Sequence, residues 1–145
     1  MEQNLFEFVK AVKSVSRKLS VIEKLEAKRM GLLHNEYMLM LYIKESEEEL
    51  NATELSQLMC IDKGALSRII KKLEEENYVK VKTKNNKRYG APVVLKAKGT
   101  RAVEKLEARM NEIVGLDELG VSDRTKSQLY KVLGQVSANL DNYEE

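Results

Sequence analysis

Leu50-Asn51-Ala52-Thr53-Glu54-Leu55-Ser56-Gln57-Leu58-Met59-Cys60-Ile61-Asp62-Lys63-Gly64-Ala65-Leu66-Ser67-Arg68-Ile69-Ile70-Lys71-Lys72-Leu73-Glu74 is the stretch that decides the fold. Asn51 is placed to cap a helix, with Glu54 at its third position closing a capping box and Leu50 and Leu55 at the hydrophobic-staple positions. That helix is short. It ends near Met59, Cys60-Ile61 make a tight connection, and Asp62 caps the next helix, which runs through Glu76. Two helices separated by so few residues are a helix-turn-helix signal.

In the second of these helices Leu66, Ile69, Ile70 and Leu73 form one apolar stripe. Gly64, Ser67, Arg68 and Lys71 fall on the opposite side, with Lys63, Ala65 and Lys72 on the flanks. That face is basic and sterically low at its N-terminal end. A helix entering a DNA major groove needs this combination, because small residues let the backbone approach while Arg and Lys reach guanine or phosphate.

Downstream, Tyr78 to Lys84 alternates Val79, Val81 and Thr83 with Lys80, Lys82 and Lys84, the period of a half-buried strand. Asn85-Asn86-Lys87-Arg88 turns the chain and Val93-Val94-Leu95 returns it, with Pro92 implying an edge position or a break in pairing. From Asn77 to Arg101 there are eight Lys or Arg and no Asp or Glu. Such a stretch gives the counterion-releasing footprint that polyanion binding requires. A strand hairpin with interleaved Val is not an amphipathic membrane helix, so nucleic acid is favoured over a membrane surface.

Outward from this segment the chain is helical. Leu5, Phe8, Val12, Val15, Leu19 and Ile22 step by 3, 4, 3, 4, 3, a coiled-coil seam. The seam suits either a helix covering its own core or a subunit interface. A second helix is expected from His34 to Ile43, with Tyr37, Met40, Leu41 and Ile43 inward, ending in the acidic patch Glu45, Glu47, Glu48 and Glu49. A fifth helix is expected after Gly99, and a last one capped by Ser122 that carries Leu129, Val132, Leu133, Val136, Leu140 and Tyr143.

Composition bounds the rest. The 145 residues, 43% of them hydrophobic, suffice for one domain with a sizeable core. Lys and Arg number 25 against 23 Asp and Glu, which excludes a histone-like basic tail or an acidic solvating polymer. Cys60 and His34 are the sole residues of their types, so neither an intrachain disulfide nor a Cys/His metal site is expected. The chain opens with Glu2, Gln3 and Asn4 where a secretory signal would place basic and apolar residues, so a cytoplasmic location is expected. No nucleophile-base pair, phosphate loop or acid pair stands out, and neither enzymatic activity nor a cofactor is expected.

The order helix, helix, helix-turn-helix, hairpin, long helix, long helix resembles the MarR family of winged-helix transcription factors over nearly the whole chain. Glu54 to Glu74 is similar to the family's helix-turn-helix almost position for position, and Leu95-Lys96-Ala97-Lys98-Gly99 to its Leu-Thr-x-x-Gly at the wing exit. The resemblance implies a mainly α (α+β) fold, a winged helix-turn-helix with long N- and C-terminal dimerisation helices. Residues 31–99 would form the DNA-binding lobe, and 1–30 with 100–145 the dimerisation region. It implies a homodimer that binds a pseudo-palindromic double-stranded DNA operator, most simply as a repressor. On this reading Lys63, Gly64, Ala65, Ser67, Arg68, Lys71, Lys72, Lys82, Lys84, Asn86, Lys87 and Arg88 face DNA. Leu5, Phe8, Val12, Val15, Leu19, Leu133, Val136 and Leu140 join the two copies. Many relatives bind small aromatic ligands, which leaves room for one here.

Three positions depart from the family pattern. Asn86 stands where the wing commonly has an Asp that orients the Arg two residues on, so Arg88 is expected to be held less rigidly. The hairpin is about one residue longer at Tyr89-Gly90-Ala91-Pro92, which suggests a bulge at Gly90. Lys96 replaces the usual Thr cap of the fifth helix. Some relatives sense oxidants through a cysteine, and Cys60 lies at the turn before the basic helix, although a small turn residue without redox chemistry is the favoured reading. Two rival readings are a winged helix used for protein association, which predicts no salt-sensitive DNA binding, and a non-specific architectural DNA binder, which predicts no preferred half-site spacing.

Overall fold

The computed structural model describes residues 5–143; Glu2, Gln3 and Asn4 lie outside the described residues. The element order is α1 (Leu5–Arg29), α2 (His34–Glu45), β1 (Leu50–Asn51), α3 (Ala52–Met59), α4 (Lys63–Glu75), β2 (Val79–Val81), β3 (Pro92–Leu95), α5 (Ala97–Val114), a 3-10 turn (Asp117–Leu119) and α6 (Asp123–Asp141). The fold is mainly α, a winged helix-turn-helix. The chain divides into two compact units between Ala108 and Arg109, within α5.

The caps anticipated around the helix-turn-helix form as the local chemistry dictates. Asn51 Oδ1 accepts from the Glu54 amide at 2.9 Å, and Asp62 Oδ2 accepts from the amides of Gly64 (3.0 Å) and Ala65 (3.2 Å). Between them Cys60 adopts the left-handed region (φ 53°), and the Ile61 amide donates to Ser56 O at 3.1 Å. The chain thus reverses in three residues and sets α4 against α3.

The core of the first unit is built from Leu39 and Met40 of α2, Leu55 of α3, Leu66 and Leu73 of α4, Val79 and Val93 of the sheet, and Val103 and Leu106 of α5, each 2% exposed or less. Each side chain of this size contributes about 1.5–3 kcal/mol on burial. Leu39 was not among the expected inward residues of α2, and Leu41 and Ile43 are only half-buried. α1 buries Ala27 alone, while α6, in the second unit, buries no residue. Ser122 Oγ caps α6 by accepting from the Thr125 amide at 3.2 Å.

The sheet departs from expectation in three ways. The strand after α4 pairs only over Val79–Val81, because the Thr83 amide turns back to Val81 O (2.9 Å) and ends the ladder. A two-residue strand, Leu50–Asn51, joins the sheet, so the order is β1-β3-β2 and β3 is central rather than an edge. Pro92 is tolerated there as the first residue of its strand, where its carbonyl still accepts from the Lys82 amide (2.8 Å).

α5 begins at Ala97, two residues before the glycine expected to precede it. Gly99 serves a different purpose: a Cβ at this position would lie 2.3 Å from Tyr78 O, a backbone atom that also accepts from the Lys96 amide. Hydrogen alone fits. Gly99→Ala is therefore expected to destabilise the fold by about 1–3 kcal/mol through overpacking, read as a lower urea midpoint at unchanged slope.

Candidate nucleic-acid interface

The interface candidate is built on α4. Its apolar residues Leu66, Ile70 and Leu73 are buried, which turns Lys63, Gly64, Ser67, Arg68 and Lys71 outward; Ala65 and Lys72 are half-buried on the flank. Between Lys63 and Lys72 no acidic residue occurs. Ser67 Oγ donates to Lys63 O at 2.9 Å, so its hydroxyl is satisfied within the helix. Gly64 is small for a local reason as well, since a Cβ would crowd the Asp62 cap at 3.1 Å.

Beside α4 stands the wing. Asn85 and Asn86 both have positive φ (55° and 60°), as a tight hairpin turn of the primed type requires, and Lys84 pairs with Lys87 across it. A second turn follows where a bulge was expected: the Ala91 amide donates to Arg88 O (3.1 Å) with Gly90 at φ 71°. This turn holds Tyr89 at 92% exposure, with Lys63 Nζ 5.6 Å from its ring centroid. Lys82, Lys84, Asn86, Lys87 and Arg88 are all exposed.

Arg88 is the main revision. Expected to be held less rigidly beside Asn86, it forms a two-pronged ion pair with Glu74 of α4, Nη2 to Oε1 at 2.5 Å and Nη1 to Oε2 at 3.3 Å. The carboxylate raises the guanidinium pKa further above its ordinary range. Lys82 is paired likewise, with Glu49 at 2.7 Å. Between α4, the start of α3 and the wing lies an open groove of about 640 Å³, lined by Thr53, Lys63, Ser67, Lys71, Glu74 and Arg88 through Ala91. Glu74, Tyr89 and Thr53 were not among the residues singled out in the sequence. Only Tyr89, an aromatic next to a glycine inside a basic stretch, carried a signal there.

On its other side α4 faces the end of α1 and the start of α2. Lys24, Lys28, His34, Arg68 and Lys72 line a second open groove of about 850 Å³. At its floor Glu36 is 1% exposed; its Oε1 accepts from the Leu33 amide (2.7 Å), and Lys72 Nζ stands 3.1 Å from Oε2. That hydrogen-bonding carboxylate raises the Lys72 pKa and keeps the ammonium charged. His34 Nε2 lies 2.8 Å from Glu23 Oε2.

None of the α1 residues expected at a subunit interface lines either groove. On α1, Leu5 (73%), Val15 (57%), Val12 (40%) and Phe8 (38%) are exposed and Leu19 half-buried. On α6, Leu140 and Leu133 are exposed and Val136 half-buried. Among the described residues no helix is long and apolar enough to cross a membrane.

Residues 32–89, which span α2, the helix-turn-helix and most of the wing, match the model of the MarR family. The chain is 29% identical over 119 residues to the HTH-type transcriptional regulator SarZ of Staphylococcus aureus (strain MRSA252), covering 81% of this chain and 78% of that protein. Among solved structures, AbsC, a MarR family transcriptional regulator from Streptomyces coelicolor, aligns with a TM-score of 0.74 at 20% identity over 99% of this chain and 98% of its own. Staphylococcus aureus MarR, in complex with salicylate and kanamycin, aligns at 0.76 and 14% identity over 95% and 93%. Residues 32–89 thus carry a MarR family domain, and the whole chain has the fold of the family's regulators.

Proposed function

We propose that the chain binds double-stranded DNA sequence-specifically as a homodimer in the cytoplasm and represses transcription from a pseudo-palindromic operator. Residues 31–99 act as the DNA-binding lobe, and 1–30 with 100–145 as the dimerisation region. The observation that carries the reading is the outward face of α4: an acid-free ridge of Gly64, Ser67, Arg68 and Lys71, low enough for close approach and flanked by a lysine-rich wing. The apolar residues left uncovered on α1 and on α6 support the homodimer, because an uncovered apolar face of this length is rare on a monomer. A small aromatic ligand releases the operator; the complex of the similar Staphylococcus aureus MarR with salicylate supports a ligand of this class.

Fluorescence anisotropy on random and selected duplexes across a salt series tests the reading. Affinity is expected to fall linearly with salt on logarithmic axes, with the selected duplex offset to tighter binding. Binding indifferent to salt, or none, would favour protein association instead.

The Glu74 clamp yields a further expectation. Arg88 must leave Glu74 to enter a minor groove, and the carboxylate itself repels phosphate. An exposed ion pair contributes about 0.2–1 kcal/mol, so Glu74→Gln is expected to tighten DNA binding about two- to fivefold, more at low salt. Weaker binding by Glu74→Gln would show that the pair positions the wing productively.

A further inference from the structure

Among the described residues Glu36 is the one charged side chain that is fully buried, at 1% exposure. It lies in the first turn of α2, which packs on α4. Its Oε1 accepts from the Leu33 amide at 2.7 Å and closes the start of α2. Among the described residues no hydrogen bond reaches its Oε2. What stands against that oxygen is the Lys72 ammonium of α4, 3.1 Å from Oε2 and 3.4 Å from Oε1. The carboxylate cannot lose Lys72 without becoming an uncompensated charge in the interior, which is strongly unfavourable.

The pair between Arg88 and Glu74 is of another kind. There Glu74 is 25% exposed and Arg88 58%, so water can take up either charge when they part. Here the acid is sealed, and Lys72 is held where it stands. The core contacts that seat α4 are apolar, through Leu66, Ile70 and Leu73, and their attraction has no direction. An ion pair on the flank of the helix supplies one, because it fixes a single point on the circumference of α4. Arg68 lies one turn before Lys72 on the same face, so the rotation fixed at Lys72 is also the rotation at which Arg68 emerges.

We infer that Glu36 is a positioning residue for the basic face of α4: through Lys72 it sets the rotation of the helix about its own axis, and with it the point at which Arg68 meets DNA. Lys72 is then a strut inside the protein and not one of the DNA contacts. The inference rests on the DNA-binding reading above. A buried ion pair is weak evidence for stability, so its effect falls on discrimination between sequences more than on folding.

The test compares the full-length chain with Glu36→Gln, Lys72→Gln, the double variant and Lys72→Arg, by anisotropy on a selected and a random duplex across a salt series. Each single Gln variant is expected to lower the ratio of selected to random affinity about tenfold, with the salt slope on the random duplex unchanged. The double variant is expected to be no worse than either single one, since both remove the same contact. Lys72→Arg is expected to keep the discrimination, because a guanidinium can still reach the carboxylate. Should the Gln variants unfold, Glu36→Leu/Lys72→Met replaces the pair by apolar groups; it is expected to fold and still to lose discrimination. A slope lower by about 0.9 per protomer in Lys72→Gln would make Lys72 a phosphate contact and overturn the inference. Losses that add, or discrimination that is unchanged in the folded variants, would overturn it as well. Failure of the unmodified chain to bind any duplex would instead overturn the DNA-binding reading, and the role of Glu36 with it.

Discussion

Arg68→Ala is expected to cost about 1–3 kcal/mol of operator affinity in each half-site, and a symmetric dimer loses the contact twice. Arg68 is exposed on α4 one turn in from the Asp62 cap and lines the groove beside α1. If it reads a guanine, preference relaxes at one operator position per half-site while the salt slope changes little. If it holds only phosphate, all sequences weaken alike and the slope falls by about one per contact. Arg88→Ala is expected to act differently, weakening operators with A·T-rich flanks most, since a narrow minor groove attracts the guanidinium. Its loss is smaller because the Glu74 pair already occupies the side chain in the free protein. Equal losses for both arginines on every flank would show that each contacts backbone alone.

The second large effect concerns assembly. Val12→Asp places a charge in the middle of the uncovered α1 stripe, where Val12 is 40% exposed and so replaceable without opening the core. In a dimer that residue is desolvated against its counterpart, and an unpaired charge there is strongly unfavourable. The variant is expected to behave as a 16.6 kDa monomer by light scattering at micromolar concentration. With two half-sites no longer linked, operator affinity is expected to drop by about 10²- to 10⁴-fold, while contact with a single half-site persists. A variant that stays dimeric would move the interface elsewhere, and a wild-type chain that is already monomeric would overturn the homodimer itself.

What was legible in the sequence was what short-range chemistry sets. Asn51, Asp62 and Ser122 cap helices with amides two or three residues away, so their roles follow from order along the chain. The apolar stripe of α4 likewise fixed which of its residues face out. What escaped was long-range. Glu74 sits fourteen residues from Arg88, so the wing's anchor has no local signature, whereas Asn86 lies two residues away. Pro92 implied an edge position or a break in pairing because β1, which makes β3 central, is only two residues long and leaves no periodic trace. Gly99 passed for punctuation before a helix, although its reason is the Tyr78 carbonyl twenty-one residues earlier. The second groove escaped for the same cause: its lysines lie on α1, forty or more residues from Arg68 in the chain, within a helix whose pattern is dominated by its apolar stripe.

The account stands most directly on whether two copies read a symmetric DNA sequence. Selection of duplexes from a random pool by the purified full-length chain, followed by footprinting of the winners, measures this in one experiment. The expected result is an inverted repeat whose half-site centres lie about one helical turn, 10–10.5 base pairs, apart or a multiple of it, with protection extending over the flanking minor grooves touched by the wing. Recovery of unrelated sequences, or of a single half-site without a fixed partner, would contradict it.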